Sequence, residues 1–279
     1  MNGIKKHLIK TVNLLIRKAI GLLPRKIRYE VFRNRVSIPS NNPEIIFKLA
    51  QTQSELEQAF QILHDAYVGS GFMKAHPSGM RITPYHALPS TSTLIATRDN
   101  KVIATVSIIR DSGLGLPLES IFNIKELKEK GRRVAEISSL AIHHSYRGNN
   151  GEVLFPLLKY LYRYCVNFFG VDYMVIAVNP SRSDFYEAVL FFQRITSQIV
   201  AKYDFVQGAP ALGAYLDLRL FYQTLATYYG NKKESKNFFN FFTGDIPSNF
   251  VYPDRQYYKI TDPVMTPEML NYFFNQKTE

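Results

Sequence analysis

At 279 residues, 46% hydrophobic and 14% aromatic, the chain can bury a substantial core, and disorder is excluded. Its net charge of +11 is concentrated in residues 1–36, which carry ten Lys or Arg against one acid, Glu30. The remainder is nearly balanced, which argues against a general nucleic-acid binder. One cysteine, Cys165, rules out an internal disulfide and a cysteine-rich metal site, and no apolar run reaches the ~18–20 residues of a membrane-spanning helix. Arg17 and Lys18 interrupt what would be the apolar core of a signal peptide, so a reducing cytoplasm is the expected compartment.

Along the first 23 residues, Ile4, Leu8, Val12, Leu15, Ala19 and Leu22 recur at three- and four-residue steps, predicting an amphipathic helix that ends at Leu23-Pro24. With its basic back this helix suits three placements: packed on its own domain, lying in an anionic membrane interface, or docked on an acidic protein. A polar linker, 37–43, separates this 1–36 arm from a more regular order of elements. A strand is predicted over 44–50, then a helix behind a Ser54 to Glu57 capping box, and a loop over 69–89. Strong β-formers flanking Asp99-Asn100 predict a hairpin over 93–110, and 121–130 reads as a short amphipathic helix. A strand follows over 134–142, a helix over 152–169, a strand over 173–178 and a helix from Ser183. Strands near Ile199 and Tyr215 and helices over 219–229 and 268–275 complete the chain. The predicted class is mixed α/β (α+β, with a mixed sheet), since strands and helices do not alternate strictly.

The stretch from Glu136 to Gly151 is the most chemical part of the sequence. A strand bearing one carboxylate runs into a loop bracketed by Gly148 and Gly151, and then into a helix whose first turn tolerates Pro156. Free N–H groups at such a turn suit an anionic phosphate arm, although many glycine-containing turns are only turns. Cys165 falls on the helix's apolar stripe and reads as a packing thiol.

Tyr146-Arg-Gly-Asn-Asn-Gly151 resembles the pyrophosphate loop of the GNAT superfamily of N-acyltransferases. Asn179-Pro-Ser-Arg-Ser-Asp-Phe-Tyr186 resembles its second motif, an Asn seven residues before a Tyr. The chain departs from that pattern at Asn150, where Gly is frequent, and at Phe191-Phe192, where Gly-Phe is usual. A narrower likeness spans about 54–218. Arg81 to Pro89, Gly115 to Glu119, Ala135 to Ile142, Asn179 to Tyr186 and Gly208 to Ala211 look like the long-chain N-acyl amino acid synthases of the FeeM type. The related homoserine lactone synthases have an Arg where this chain has Ser139, which argues against that activity.

The resemblance implies a GNAT acyltransferase domain over 44–218, with the basic arm before it and a C-terminal helical extension over 219–279. It implies transfer of a fatty acyl group from acyl carrier protein to the α-amine of an amino acid. Alternatives are acyl-CoA as donor, an ornithine-type aminolipid as product, or a catalytically silent membrane-bound module. Aminolysis of a thioester needs a proton acceptor for the amine, and Glu136 is the candidate; Ser138 shares its face by strand alternation. The competing reading of Glu136 is a solvated or ion-paired carboxylate.

Backbone N–H groups around 140–142 are candidates for the oxyanion, and Tyr186 for protonating the leaving thiol, unless it is a packed aromatic. Ile142, Arg147, Gly148, Asn149, Asn150, Gly151 and Asn179 would hold the phosphopantetheine arm, although Asn179 also suits a turn before Pro180. Arg81, or more weakly His86, would bind the acceptor's carboxylate, against the ordinary reading of a surface arginine. His86, His143 and His144 lack partner spacing for a metal, and none is expected. Some of the many Phe and Tyr residues are candidates to line an acyl tunnel. An anionic membrane surface is the proposed partner of residues 1–23.

Overall fold

The computed structural model describes residues 22–253; the amphipathic stretch before Leu22 and the expected helix over 268–275 lie outside them. The described chain opens with helix α1 (Arg25–Arg35) and strand β1 (Ile46–Leu49), shorter than the 44–50 reading. Helix α2 (Gln53–Gly69) starts two residues earlier than expected. Its capping box is Thr52 with Glu55, not Ser54 with Glu57: Thr52 Oγ1 accepts the Glu55 N–H at 3.2 Å, and the Glu55 carboxylate accepts those of Gln51 and Thr52. Lys48 decides between the two, because its ammonium lies 2.6 Å from Glu55 and holds that carboxylate at the helix start.

The hairpin forms as β2 (Thr91–Arg98) and β3 (Lys101–Arg110), with Asp99 and Asn100 both at positive φ, the geometry a two-residue turn needs to match strand twist. The helix expected over 121–130 contracts to α3 (Lys125–Lys128), preceded by a 3-10 turn at Pro117–Ser120. Phe122 and Ile124 drop into the core from irregular backbone, and Lys130 and Gly131 at positive φ stop the helix.

Next come β4 (Val134–Ile142), α4 (Leu154–Tyr164) and β5 (Tyr173–Val178). The reading of one helix over 152–169 is corrected: residues Cys165–Phe169 widen into a π turn that ends on Gly170 in the left-handed region. Then follow α5 (Ser183–Val189), β6 (Gln193–Arg194), β7 (Val200–Tyr203), β8 (Ala209–Asp217), α6 (Leu218–Tyr229), α7 (Phe238–Thr243) and β9 (Phe250–Val251).

The strands form one mixed sheet in the order β6-β8-β5-β4-β3-β2-β1-β9, with β7 on β8. β4 with β5 and β1 with β9 are parallel; the other pairs are antiparallel. One face, carrying Leu94, Ile108 and Met174, packs on α4, α6 and α7. The other, carrying Ile95 and Val102, packs on α2, and near Ile109 and Val175 on the 116–124 loop.

Helix α1 lies against α5. The buried Glu187 carboxylate takes Arg25 at 2.5 Å, Arg194 at 2.9 Å and the Tyr29 hydroxyl, while Arg28 reaches Asp184 at 3.1 Å. Two of the arm's positive charges, Arg25 and Arg28, are therefore matched by acids of the folded domain.

Candidate active site

The site begins as a fault in the sheet. β4 and β5 pair only from Val134, Ala135 and Glu136 to Tyr173, Met174 and Val175; beyond that the two parallel strands part. On its other side β4 carries a bulge: Ser138 faces Ser107 and Ala141 faces Thr105, so Ser139 and Leu140 share the single β3 position of Val106. Ser139 sits at φ 57°, a strained value for a non-glycine residue.

The bulge is supported from α2's side by His86. Its Nδ1 accepts the Thr83 N–H at 3.1 Å, which leaves Nε2–H to donate to Ser139 Oγ at 3.3 Å. Burial, with Arg81 nearby, pushes the imidazole down to about 3, so His86 is a neutral strut. The expectation that His86 offers a cation to a carboxylate is therefore corrected: an uncharged, fully engaged ring supplies none.

Behind the parted strands runs a cleft with about 820 Å³ of empty space, its open mouth included. Ser138, Ser139 and Leu140 border it on one side and Ile176 and Val178 on the other. It continues beneath α4, past Leu158 and Leu161, to Phe221 of α6 and Phe242 of α7. A groove with polar backbone at the mouth and aliphatic and aromatic walls at depth suits a ligand with a polar head and an apolar tail.

Glu136 stands where the strands part. Its partner across β3 is Ile109 and that of Ser138 is Ser107, so both carboxylate and hydroxyl face the α2 side, as alternation predicts. Ser138 borders the cleft, whereas Glu136 is 2% exposed and its Oε2 accepts the Leu118 N–H at 2.8 Å. Desolvation raises its pKa to about 8; the Leu118 bond pulls the other way and the Glu119 charge adds to the rise. A carboxyl of this kind is neither solvated nor ion-paired. A carboxyl raised to about 8 lies close to the operating pH that suits a general acid or base.

Arg81 is equally far from an ordinary surface arginine. Its guanidinium lies over the rings of Tyr67 at 4.3 Å and Phe205 at 4.9 Å and donates to Phe205 O at 2.8 Å, while its buried Nε has no protein acceptor. Tyr203, whose buried hydroxyl is also unpartnered, and Tyr67 both feel the Glu136 charge. Tyr67 reaches the cleft, which links this polar group to the cavity.

Tyr186, on α5, lines the cleft as well, and burial raises its phenol to about 12. Asn179 is turned inward: its side-chain oxygen accepts the Ser181 N–H at 3.0 Å and the Ser181 hydroxyl at 2.7 Å, which is the turn-capping alternative.

The glycine loop forms a second hollow, with about 800 Å³ of empty space including its open mouth, at the start of α4. Arg147 donates its backbone N–H to His144 O and its Nε to Ile142 O, and the Asn150 N–H is taken by Gly148 O at 2.8 Å. Those two amides are thus removed from the set expected to face a phosphate. Among the described residues, the N–H groups of Gly148, Asn149, Gly151, Val153 and Leu154 have no backbone or side-chain acceptor. Gly148, Asn150 and Gly151 at positive φ turn the chain so that such donors converge. Gly151 admits no side chain, because a Cβ there would lie 2.3 Å from the Phe155 ring.

Residue patterns alone did not single out Tyr67, Phe221 or Phe242. Their signal, apolar positions on helices α2, α6 and α7, is the same as that of any core residue.

A family model described as N-acyl amino acid synthase FeeM matches residues 58–217, more than half of the chain. A solved structure of FeeM, an N-acyl amino acid synthase from uncultured soil microbes, shares 23% identity over 64% of this chain and 93% of its own, with a TM-score of 0.54, a likeness of fold. The acyl-homoserine lactone synthase LasI follows at 17% identity and TM-score 0.48, over 67% of this chain and 95% of its own. No curated protein matches. The chain therefore has the acyltransferase fold and belongs to the family of FeeM-type N-acyl amino acid synthases, and it is an N-acyltransferase.

Proposed function

We propose that this protein transfers a long-chain fatty acyl group from a phosphopantetheine thioester, with acyl carrier protein as the favoured donor, to the α-amine of an amino acid. The observation that carries the proposal is the opening between β4 and β5, with Glu136 at its apex and an apolar cleft running from it to Phe221 and Phe242. The acyl chain occupies the cleft, and the thioester lies at its mouth against Ser139 and Leu140. The backbone N–H groups of the bulge polarise its carbonyl.

The amine attacks the thioester carbon while Glu136, directly or through one water, takes the proton that nitrogen loses. Collapse of the tetrahedral intermediate breaks the C–S bond, and Tyr186 protonates the departing thiolate. A phenol at about 12 is a weak acid for a thiol of ordinary pKa, but the same desolvation raises a thiolate's proton affinity, as burial does to Cys165. Cys165 itself is fully buried with its thiol pushed upward, which supports direct attack over an acyl-enzyme.

Arg81, with its unused Nε, would take the acceptor's carboxylate. The loop amides of Gly148, Asn149 and Gly151 and the free guanidinium nitrogens of Arg147 hold the donor's phosphate. Asn179, its side-chain oxygen taken by Ser181, offers the arm only its amide nitrogen.

Incubating the protein with long-chain acyl carrier protein thioesters and pooled amino acids, then weighing the products by mass spectrometry, tests the proposal. N-acyl amino acids are expected; thiol release with no amide overturns it. For the basic residues 1–23 we propose an anionic membrane surface as partner, a fitting site for release of a lipid-like product. Co-sedimentation with anionic vesicles should be lost when they are deleted, and unchanged binding would reject the role. Among the described residues no helix is long and apolar enough to cross a membrane.

A further inference from the structure

The hollow at the glycine loop has two walls, and only one belongs to the loop. The other is Arg35, Val36 and Ser37, where α1 ends and the linker begins. Arg35 and Arg147 are the two cations of the lining, and no acid lies among the lining residues.

The five cations of 25–35 divide sharply. Arg25 and Arg28 are paired with Glu187 and Asp184, and Arg33 with Glu30 and the Ala188 carbonyl. Lys26 faces solvent away from the hollow. Arg35 borders it, and no ion pair or side-chain hydrogen bond engages its guanidinium among the described residues.

Its position is nevertheless fixed from both sides. Ahead of it are the Arg25, Arg28 and Arg33 contacts; beside it, Lys232 and Lys236 hold Asn34; behind it, Asn42 Nδ2 donates to Glu152 at 2.8 Å, tying the linker to the start of α4. An exposed cation whose backbone is anchored on both sides, beside a concave surface of unused N–H donors, is arranged for an anion.

We propose that Arg35 is a donor-binding residue, which closes on the phosphate of the phosphopantetheine arm from the side opposite the glycine loop. The inference rests on the reading that this loop holds that phosphate, and it adds a contact from outside the segment matched by the family model. The phosphodiester is common to acyl carrier protein and to coenzyme A, so the contact serves either donor. Two guanidinium groups and a set of amides meeting one phosphate would place the arm's first atoms, and hence the thioester, at the cleft mouth.

The test compares binding of free 4′-phosphopantetheine and of pantetheine, which lacks the phosphate, by calorimetry on the full chain. Wild-type protein is expected to prefer the phosphorylated arm. Arg35→Ala should lose affinity for it by about tenfold or more, the loss typical of one charge-assisted contact, with pantetheine unaffected. Lys26→Ala, which removes an equal charge from the same helix, should leave the preference unchanged. An Arg35→Ala variant that retains the wild-type preference, or a Lys26→Ala variant that loses as much, overturns the proposal.

Absence of any preference in the wild-type protein removes the phosphate reading of the loop itself, which separates the two failures. Steady-state KM values for acyl carrier protein and acyl-CoA thioesters then separate the sources. A rise for both in Arg35→Ala supports a phosphate contact, while a rise for the carrier protein alone shows that Arg35 touches the protein surface and not the arm.

Discussion

Glu136 shows how far one residue's chemistry depends on its surroundings. Its carboxyl is raised to about 8 because burial disfavours its charge, and it gains no cation to compensate. Turnover should therefore climb with pH through about 8 in wild-type protein. Glu136→Gln, an isostere of the protonated form, should fold, lose about 10²–10⁴ in kcat and lose that pH dependence. Full activity in a folded Gln variant would remove Glu136 from the base role.

Stability carries the opposite slope. Between the ordinary carboxyl range and about 8 the folded chain binds a proton that the unfolded chain has released, so stability falls as pH rises through this window. The neutral His86, held down at about 3, acts on the acid side: there the unfolded chain binds the extra proton, and stability falls as pH drops from about 6.5. Denaturant titrations should show lower stability at pH 8.5 than at pH 6, with the difference reduced in Glu136→Gln.

At the scale of elements, the decisive contacts are those that hold α1 on α5. Glu187 is buried and surrounded by Arg25, Tyr29 and Arg194, an arrangement that lowers its carboxyl pKa despite its desolvation. Truncating it leaves Arg25 and Arg194 able to reach water, so the cost is smaller than for a fully enclosed pair, about 2–3 kcal/mol for Glu187→Ala. Arg25→Ala should cost less than about 1 kcal/mol, because that side chain is more than half exposed. Equilibrium unfolding in urea measures both, and equal losses would contradict the asymmetry. Because α5 also bears Tyr186, the Ala variant should reduce activity as well. The bulge in β4 belongs to this scale too: Ser139, at positive φ, lies between the ladder pairs at Ser138 and Ala141, and His86 donates to its hydroxyl.

Across the molecule, the segment after Leu218 completes the functional cavity. Phe221 and Phe242 line the cleft, and β9 joins the sheet beside β1. If the acyl chain lies in this cleft as proposed, these two rings would limit its length. Phe242→Leu removes part of that limit while keeping an apolar residue of good packing quality, at a stability cost of about 1–2 kcal/mol. Its amide products should shift toward longer acyl chains by mass spectrometry, and an unchanged chain-length profile would place the acyl tail elsewhere.

Legible in the sequence were most strands and helices from β1 to β5, the Asp99-Asn100 hairpin, the glycine loop ahead of α4 and the family likeness; α1, β6, α7 and β9 were not. The legible features depend on local periodicity, turn chemistry and short motifs, all of which are written in neighbouring residues. The sequence located Glu136 and Ser138 on one strand face for the same reason. The parting of β4 and β5 just beyond Glu136, the neutral His86 strut and the lining of the cleft by α6 and α7 emerge only once the chain is folded. Folding also decides which positive charges of residues 25–35 are matched by acids and which one, Arg35, is left facing the loop. Burial, pairing and the pKa values that follow are set by residues tens to hundreds of positions away, and no local pattern encodes them.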